Sequence, residues 1–316
     1  MNTDFHTTSL YNESVTLTSR HDGLPLDVLI VLPKRPRAIL QLSHGMCEHK
    51  ERYLPFMKYM ALRGFACVIH DHRGHGKSVR NMSDLGYFYE NGGPGLVKDL
   101  HQITRYAKKR FQGLPLFLFG HSMGSLAARV YLKYYERDLD GLIVCGSPSK
   151  PPFAGLGLAF VSMLAAVKGG QSRSRLMDKL FTVFDLPFRS EGRSHAWICT
   201  DKAVVEAFNA SPYCNFTFTL NGYQSLLVLL CQTYGKRGWH PEKPGLPILF
   251  VSGSEDPCMG SKKRFYQAAG FLAAEGYNAI TSRLYEGMRH EILNEPGRME
   301  VFEDVSGFLE KILKNY

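Results

Sequence analysis

Two hydrophobic periodicities alternate along the first 150 residues and again after about residue 246. Short runs that are apolar throughout predict buried strands, whereas apolar residues three or four positions apart predict helices. The predicted strands are residues 14–18, 26–32, 38–42, 65–69, 114–119, 142–145, 247–253 and 280–285. Helical spacing marks residues 53–62, 96–111, 126–135, 262–275 and 299–313. This alternation indicates an α/β fold with a mostly parallel sheet and helices on both faces.

The alternation stops after Ser147 and resumes near residue 247, with helical pieces and many aromatic residues between. We therefore predict a core domain formed by residues 1–147 and 241–316, with residues 148–240 inserted as a helical cap. Ligand sites of open α/β sheets lie at the carboxyl ends of the strands. Because the insertion leaves and re-enters at strand ends, we expect it to cover such a site.

The strongest chemical signal is Gly120-His-Ser-Met-Gly, which matches the pattern G-x-S-x-G. A predicted strand precedes it and a predicted helix follows, which is the context that this motif requires. The turn is so tight that side chains two residues on either side of the serine would clash, so both positions are glycine. Ser122 is therefore the predicted nucleophile.

A serine nucleophile needs a base, and the base needs a carboxylate that orients it. Where this motif occurs, the chain order is serine, then acid, then histidine. Two later strand ends supply these residues, Glu255-Asp256 after one and His290 after the other. We predict His290 as the base and Asp256 as the orienting acid, with Glu255 as the alternative acid.

Cleavage of an acyl bond also needs two donors for the negative oxygen of the intermediate. One is the backbone N–H of the residue after the nucleophile, here Met123, and the other comes from a loop after an early strand. That loop is His44-Gly-Met, so the second predicted donor is the N–H of Met46.

These residues carry a resemblance to a known family. The segments His44-Gly-Met-Cys-Glu-His, Arg52-Tyr, Asp71-His-Arg-Gly-His-Gly-Lys-Ser and Gly120-His-Ser-Met-Gly resemble the monoacylglycerol lipase and lysophospholipase branch of the α/β-hydrolases, to which serine aminopeptidases are related. The resemblance implies a serine carboxylic-ester hydrolase with a mobile cap and no cofactor, acting on monoacylglycerol or lysophospholipid esters. One departure is Cys47, where the family usually has glycine.

The cap contains an apolar stretch at residues 153–167 with Lys150 and Lys168 on its flanks. It is either a wall that receives an acyl chain and contacts a membrane surface, or a helix packed on the core. On the first interpretation Phe160, Met163 and Leu164 contact substrate. We expect the other cap aromatics to form the core of the cap: Phe181, Phe184, Phe188, Phe216 and Phe218.

Composition bears on the partners, metals and location of the protein. The 316 residues carry a net charge of +9, but the longest basic run is Lys108-Lys-Arg, so a nucleic-acid partner is not predicted. The seven cysteines form no C-x-x-C pair, and the clustered histidines lack metal-ligand spacing, so no metal is predicted. No signal peptide is visible, which together with the unpaired cysteines favours a cytoplasmic protein.

Two alternatives to the esterase remain open. A serine aminopeptidase would need a free carboxylate in the cap to hold the substrate's amine, and the candidates are Asp178, Asp185, Glu191, Asp201 and Glu206. A ligand-binding member of the fold without catalytic activity would not need the three residues of the triad.

Overall fold

The structure, a computed structural model, describes residues 10–90 and 92–316. Eight strands form one sheet in the order β1-β2-β4-β3-β5-β6-β7-β8. The strands are β1 (Tyr11–Thr18), β2 (Pro25–Leu32), β3 (Ala38–Ser43), β4 (Phe65–His70), β5 (Leu116–His121), β6 (Gly141–Cys145), β7 (Ile248–Gly253) and β8 (Ile280–Tyr285). Only β2 runs antiparallel to its neighbours, β1 and β4, and the other pairs are parallel. The predicted fold class is confirmed.

Helices cover both faces of this sheet. They are α1 (Leu54–Ala61), α2 (Gly92–Arg110), α3 (Met123–Tyr135), α4 (Ala154–Lys168), α5 (Arg175–Phe181), α6 (Lys202–Ala210), α7 (Leu220–Tyr234), α8 (Lys262–Ala274) and α9 (Arg298–Leu313). Buried residues of α1 and α9 form an apolar cluster on one face, and those of α2, α3 and α8 belong to a second cluster on the other. The sheet is therefore the middle layer of three.

The central strands explain why their sequences are apolar throughout. Every residue of β3, β4, β5, β6 and β7 is buried, since helices pack on both sides of them. The edge strand β1 instead alternates between exposed and half-buried residues. The pattern of apolar residues in a strand thus indicates whether helices cover one face of it or both.

The helices α4 to α7 lie in the long connection between β6 and β7. The last of them, α7, packs against α2, α3 and α4, so it joins the connection to the core. Much of α4 is exposed, and Val161 is its one fully buried residue. The structure does not divide the chain into domains, so the cap boundaries at 148 and 240 stay a prediction.

The parallel strands place the predicted site residues at one edge. The loops after β3, β5, β7 and β8 contain residues 44–48, 122, 254–258 and 286–291. All four loops follow the carboxyl ends of parallel strands, which meet at the same edge of the sheet. Among the helices in the described part of the chain, none combines the length and hydrophobicity needed to cross a bilayer.

Candidate active site

Ser122 occupies the turn between β5 and α3 in a strained conformation. Its φ of 52° and ψ of −120° lie where side chains are disfavoured, at a cost of about 1–3 kcal/mol. Two glycines make the turn possible. A Cβ on Gly124 would lie 2.1 Å from the carbonyl oxygen of Ser43, and one on Gly120 would lie 2.6 Å from that of Gly124. The pattern G-x-S-x-G is thus a steric requirement of this turn.

His290 and Asp256 are in direct contact. The Nδ1 of His290 lies 3.0 Å from both carboxylate oxygens of Asp256, and both side chains are buried. The carboxylate also accepts the hydroxyl of Ser252 and the backbone N–H of Cys258, each at 2.9 Å. These contacts leave the Nε2 of His290 as the nitrogen available for another partner.

The acid in contact with His290 is Asp256 and not the alternative, Glu255. Half of the Glu255 side chain is exposed, and its carboxylate lies 4.0 Å from Nε of Arg289. Burial alone would raise the pKa of Asp256. The charge of His290 and the hydrogen bonds to the carboxylate outweigh burial and lower this pKa below its ordinary value. Asp256 therefore stays ionised and can hold a protonated imidazole.

Ser122 and His290 line the same cavity, with 9% and 3% of their surfaces exposed. No hydrogen bond joins the Ser122 hydroxyl to His290 within the part of the chain that the structure describes. Such bonds often tighten only when substrate binds. Trp197, which the sequence did not suggest, packs against the His290 ring at 4.8 Å between centroids. Its carbonyl also accepts the His290 N–H at 3.5 Å.

The two predicted oxyanion donors lie on either side of the nucleophile. Met123 is the first residue of α3 and Met46 follows Gly45, and both line the cavity. A Cβ on Gly45 would lie 3.1 Å from the Ser122 Cβ, so this loop runs directly past the nucleophile. Neither amide N–H has an acceptor among the described residues, which leaves both free for a substrate oxygen.

A buried ion pair supports the loop behind these donors. One carboxylate oxygen of Glu48 accepts the N–H of Gly45 at 2.5 Å and the Tyr53 hydroxyl at 2.8 Å, and lies 3.1 Å from Nδ1 of His121. The other ring nitrogen of His121 donates to the carbonyl oxygen of His290 at 3.2 Å.

The charges of this pair follow from its contacts. Burial by itself would lower the pKa of His121, but the hydrogen bond and charge of Glu48 raise it. Burial would likewise raise the pKa of Glu48, but His121 and Arg52 hold it well below its usual value. Both groups are therefore charged, and together they connect His121, the residue before Ser122, to Gly45 and to the backbone of His290.

Cys47 has a backbone conformation that glycine adopts more easily than other residues, which explains why glycine is common at this position. Its φ of 54° lies in the left-handed region, where a side chain is strained. The thiol donates to the carbonyl oxygen of Phe216 in the cap at 3.0 Å. This departure from the family pattern thus adds a contact between the oxyanion loop and the cap.

The cavity around Ser122 has a volume of about 640 Å³ and a mostly apolar wall. We call it the main cavity. Phe160 lines it from α4 together with Gly157 and Val161, and its contact with substrate stays a prediction. Met163 and Leu164 do not line it, whereas a contact with substrate in this cavity would require them to do so.

Their positions on α4 give the reason. Residues on a helix are about 100° apart, which turns Met163 away from the face formed by Gly157 and Val161. Met163 is consequently 57% exposed. Leu164 lies on that face one turn further along the helix, where it packs against the apolar core.

The expectation for the cap aromatics is correct only in part. Phe218 is fully buried, and Phe188 packs against the guanidinium of Arg289 at 4.0 Å from the ring centroid. Phe184 and Phe216, however, line the main cavity. Phe184 lies in the 3₁₀ helix Thr182–Glu191 and Phe216 in an irregular segment, and the sequence predicted no defined element for either. The side chain of Phe181 lies outside the described residues.

One group of side chains meets the spacing for a metal in the part of the chain that is described. Ligand atoms of Asp256, Cys258 and His290 all lie within 4.8 Å of one another. Burial and the charge of Asp256 raise the pKa of the Cys258 thiol well above its ordinary value, so the thiol is protonated. The carboxylate oxygens of Asp256 are already bonded to His290, to the Ser252 hydroxyl and to the Cys258 N–H, so this group fits the contact between His290 and Asp256 better than a metal centre.

With this geometry in view, comparisons with known proteins identify the family. Residues 34–297 match the family described as "Serine aminopeptidase, S33". The chain belongs to this family. Since the match covers the sheet from β3 to β8, including the cap, it extends over most of the α/β unit.

Relatives and solved structures narrow the class of enzyme. The chain is 25% identical to the monoacylglycerol lipase of Mycolicibacterium smegmatis, over 87% of this chain and 88% of the relative. It is 23% identical to the phospholipase YtpA of Bacillus subtilis, over 88% and 97%. A carboxyl esterase from Bacillus coagulans, solved in complex with glycerol, shares 27% identity and a TM-score of 0.87, over 96% and 99%. The resemblance stated from the sequence, and the class of carboxylic ester hydrolase, are confirmed.

Proposed function

We propose that the protein hydrolyses carboxylic esters with one long acyl chain, of the monoacylglycerol or lysophospholipid type, through an acyl-enzyme on Ser122. The observation that carries the proposal is the contact between His290 and Asp256 in a cavity that also exposes Ser122 and two free amides. The largely apolar wall of that cavity suits an acyl chain. The names of the relatives, a monoacylglycerol lipase and a phospholipase, support the substrate class.

The mechanism follows from the contacts. Nε2 of His290 removes the proton of the Ser122 hydroxyl as its oxygen attacks the ester carbonyl, while Asp256 stabilises the imidazolium. The N–H groups of Met46 and Met123 bind the oxyanion, and each such donor contributes about 3 kcal/mol to the transition state. The imidazolium then gives its proton to the leaving alcohol. His290 next activates a water that releases the acid and restores the serine.

For the aminopeptidase alternative, which the family description suggests, the main cavity offers one carboxylate without a cation partner among the described residues, that of Asp185. The carboxylates in the main cavity are those of Glu48, Asp185 and Glu291, as far as the described residues show. Glu48 is bonded to His121, and Glu291 forms two bonds of 2.6 Å with Arg52. Asp185 accepts the N–H of His195 at 3.0 Å.

The other candidate carboxylates are no better placed. Glu191 is paired with Arg289, Asp201 caps α6, and Glu206 is exposed. The side chain of Asp178 lies outside the described residues. The ion pairs of Glu48, Glu191 and Glu291 favour the esterase, and Asp185 is the carboxylate on which the aminopeptidase alternative depends.

The experiment compares Asp256→Asn with the matched control Glu255→Gln on a monoacyl ester. Replacing the carboxylate that contacts His290 should lower kcat on the order of 10⁴-fold, while the control should stay near wild type. Ser122→Ala should lower turnover by several orders of magnitude. A fluorophosphonate probe should label the wild type and not Ser122→Ala. Labelling at another residue would contradict Ser122 as the nucleophile. The absence of both labelling and ester hydrolysis would favour a ligand-binding member of the fold without catalytic activity.

We also propose that the cap contacts the lipid aggregate that holds the substrate. Phe153 and Leu156 at the start of α4 are 76% and 68% exposed, and Val167 near its end is 78% exposed. Lys150 and Lys168 flank this surface and suit an anionic headgroup. Sedimentation with phosphatidylglycerol vesicles should weaken in Leu156→Asp and remain unchanged in the control Met82→Asp, an exposed apolar residue outside the cap. The cytoplasmic location stays a prediction.

A further inference from the structure

A second cavity adjoins the main one and has a different character. It has a volume of about 680 Å³ and lies between the start of α4, the end of α7 and one side of α8. Ser149, Pro151, Leu230 and Arg264 line both cavities, so the two cavities share part of their walls.

The wall of the second cavity carries positive charge without an opposing carboxylate. Lys150 and Arg264 line it, and no aspartate or glutamate does so in the described parts of the chain. Neither cation forms an ion pair with a described residue. Both are exposed, so they are available to a ligand.

The helix that carries Arg264 adds to this potential. The first turn of α8 contains Lys262, Lys263 and Arg264 and no acidic residue. Cations are unfavourable at a helix N-terminus, where the helix dipole is positive. Only Lys262 has an ion-pair partner within the described chain, Glu286 at 3.2 Å. A bound anion would relieve this concentration of positive charge.

A buried guanidinium lies directly behind the same wall. Arg129 is fully buried, and its Nε and Nη1 have no hydrogen-bond partner among the described residues. Its remaining nitrogen donates to the carbonyl oxygen of Ala268 at 3.4 Å, and its guanidinium lies 4.5 Å from the centroid of the Tyr234 ring. Ala268 and Tyr234 both line the second cavity. Because no carboxylate neutralises Arg129, its charge adds to the positive potential there.

We propose that the second cavity binds the phosphate group of a lysophospholipid ester whose acyl chain occupies the main cavity. The proposal rests on the function proposed above and selects one of its two substrate types. Arg264 lies in the wall shared by the cavities, and on this proposal it contacts the phosphate of an ester held at Ser122. A guanidinium presents a planar fork of donors that matches phosphate oxygens. A neutral monoacylglycerol has no group that uses this charge.

The test compares 1-acylglycerol 3-phosphate with 1-acylglycerol of the same chain length in one neutral detergent. Arg264→Gln should raise KM for the phosphate ester about tenfold more than KM for the neutral ester, a difference equivalent to about 1.4 kcal/mol. Lys150→Gln should act in the same direction. Lys263→Gln is the matched control, since Lys263 belongs to the same turn but lines neither cavity. High salt should weaken the binding of the phosphate ester and leave that of the neutral ester unchanged, because salt screens the attraction between charges.

Two further measurements test which group the second cavity binds. Glycerol 3-phosphate should inhibit the wild type more strongly than glycerol. Hydrolysis of an acyl-glycerophosphocholine shows whether a phosphodiester is bound as well as a phosphate monoester. Equal effects of Arg264→Gln on both esters, or none on either, would overturn the proposal, and a changed chain-length profile would then assign the second cavity to the acyl chain.

If the proposed function is wrong, neither ester is hydrolysed and the fluorophosphonate does not label Ser122. In that case the phosphate site is still tested by calorimetric binding of 1-acylglycerol 3-phosphate to Ser122→Ala. Loss of that binding in the double variant with Arg264→Gln supports the site, and unchanged binding refutes it.

Discussion

We expect mild acid to destabilise the protein through four buried histidines next to the oxyanion loop: His44, His70, His72 and His75. All are fully buried, and neighbouring rings lie 4.3 to 6.5 Å apart. Burial is the main cause that lowers the pKa of His44 to about 4 and the pKa values of His70 and His75 to about 3. Charging them in the folded state is therefore unfavourable.

The sign follows from proton linkage. In the unfolded chain a histidine has a pKa of about 6.5, so below this pH the unfolded state binds protons that the folded state does not. Each contribution to stability is complete above about pH 6.5 and is lost as the pH falls toward the folded value. For a folded pKa of about 3, linkage gives a loss of about 2 kcal/mol per histidine at pH 5. This is a large fraction of a typical free energy of unfolding of about 5–15 kcal/mol.

The variant His75→Phe isolates one of these contributions. The ring of His75 lies 5.3 to 5.5 Å from those of Phe88, Phe216 and Phe218, so an aromatic replacement suits its surroundings. Urea unfolding at pH 7 and pH 5 should show a drop in free energy that is smaller by about 2 kcal/mol than in the wild type. His240→Gln, an exposed control, should retain the full drop. An equal drop in His75→Phe and the wild type would refute the linkage argument.

Three further outcomes follow from contacts in and around the site. Gly124→Ala should lower the melting temperature strongly, because its Cβ meets a backbone oxygen at 2.1 Å, whereas Gly155→Ala, with nothing within 4 Å, should not; equal melting temperatures would contradict the steric account. Phe160→Ala should reduce kcat/KM for long-chain esters more than for short ones, and Met163→Ala should leave the chain-length profile unchanged. Trp197→Ala should lower kcat about tenfold with little effect on KM for a short ester, since the ring holds the base in place; unchanged kcat would show that Asp256 suffices.

The sheet and the three central residues could be predicted because each depends on local sequence. Strands buried on both faces are apolar throughout, and the loops that follow them carry Ser122, Asp256 and His290. The order of the strands could not be predicted in the same way. The pairing of β2 with β4 rather than with β3 depends on contacts between distant segments.

The sequence could not predict which side chains of the cap face the main cavity. Phe184 and Trp197 lie in 3₁₀ helices and Phe216 in an irregular segment. The sequence predicted none of these elements, and packing sets the direction of the three rings. The same limit applies to α4, where Phe160 faces the cavity and Met163 faces solvent although both are apolar. The distinction appears only once the helix is docked.

The strained backbone conformation of Ser122 lowers the stability of the fold but holds the hydroxyl that the proposed reaction needs. Its positive φ is a conformation that glycine adopts without steric strain, so Ser122→Gly would relieve that strain while removing the hydroxyl. The strained backbone is thus kept at a position where the side chain, and not the fold, accounts for the serine.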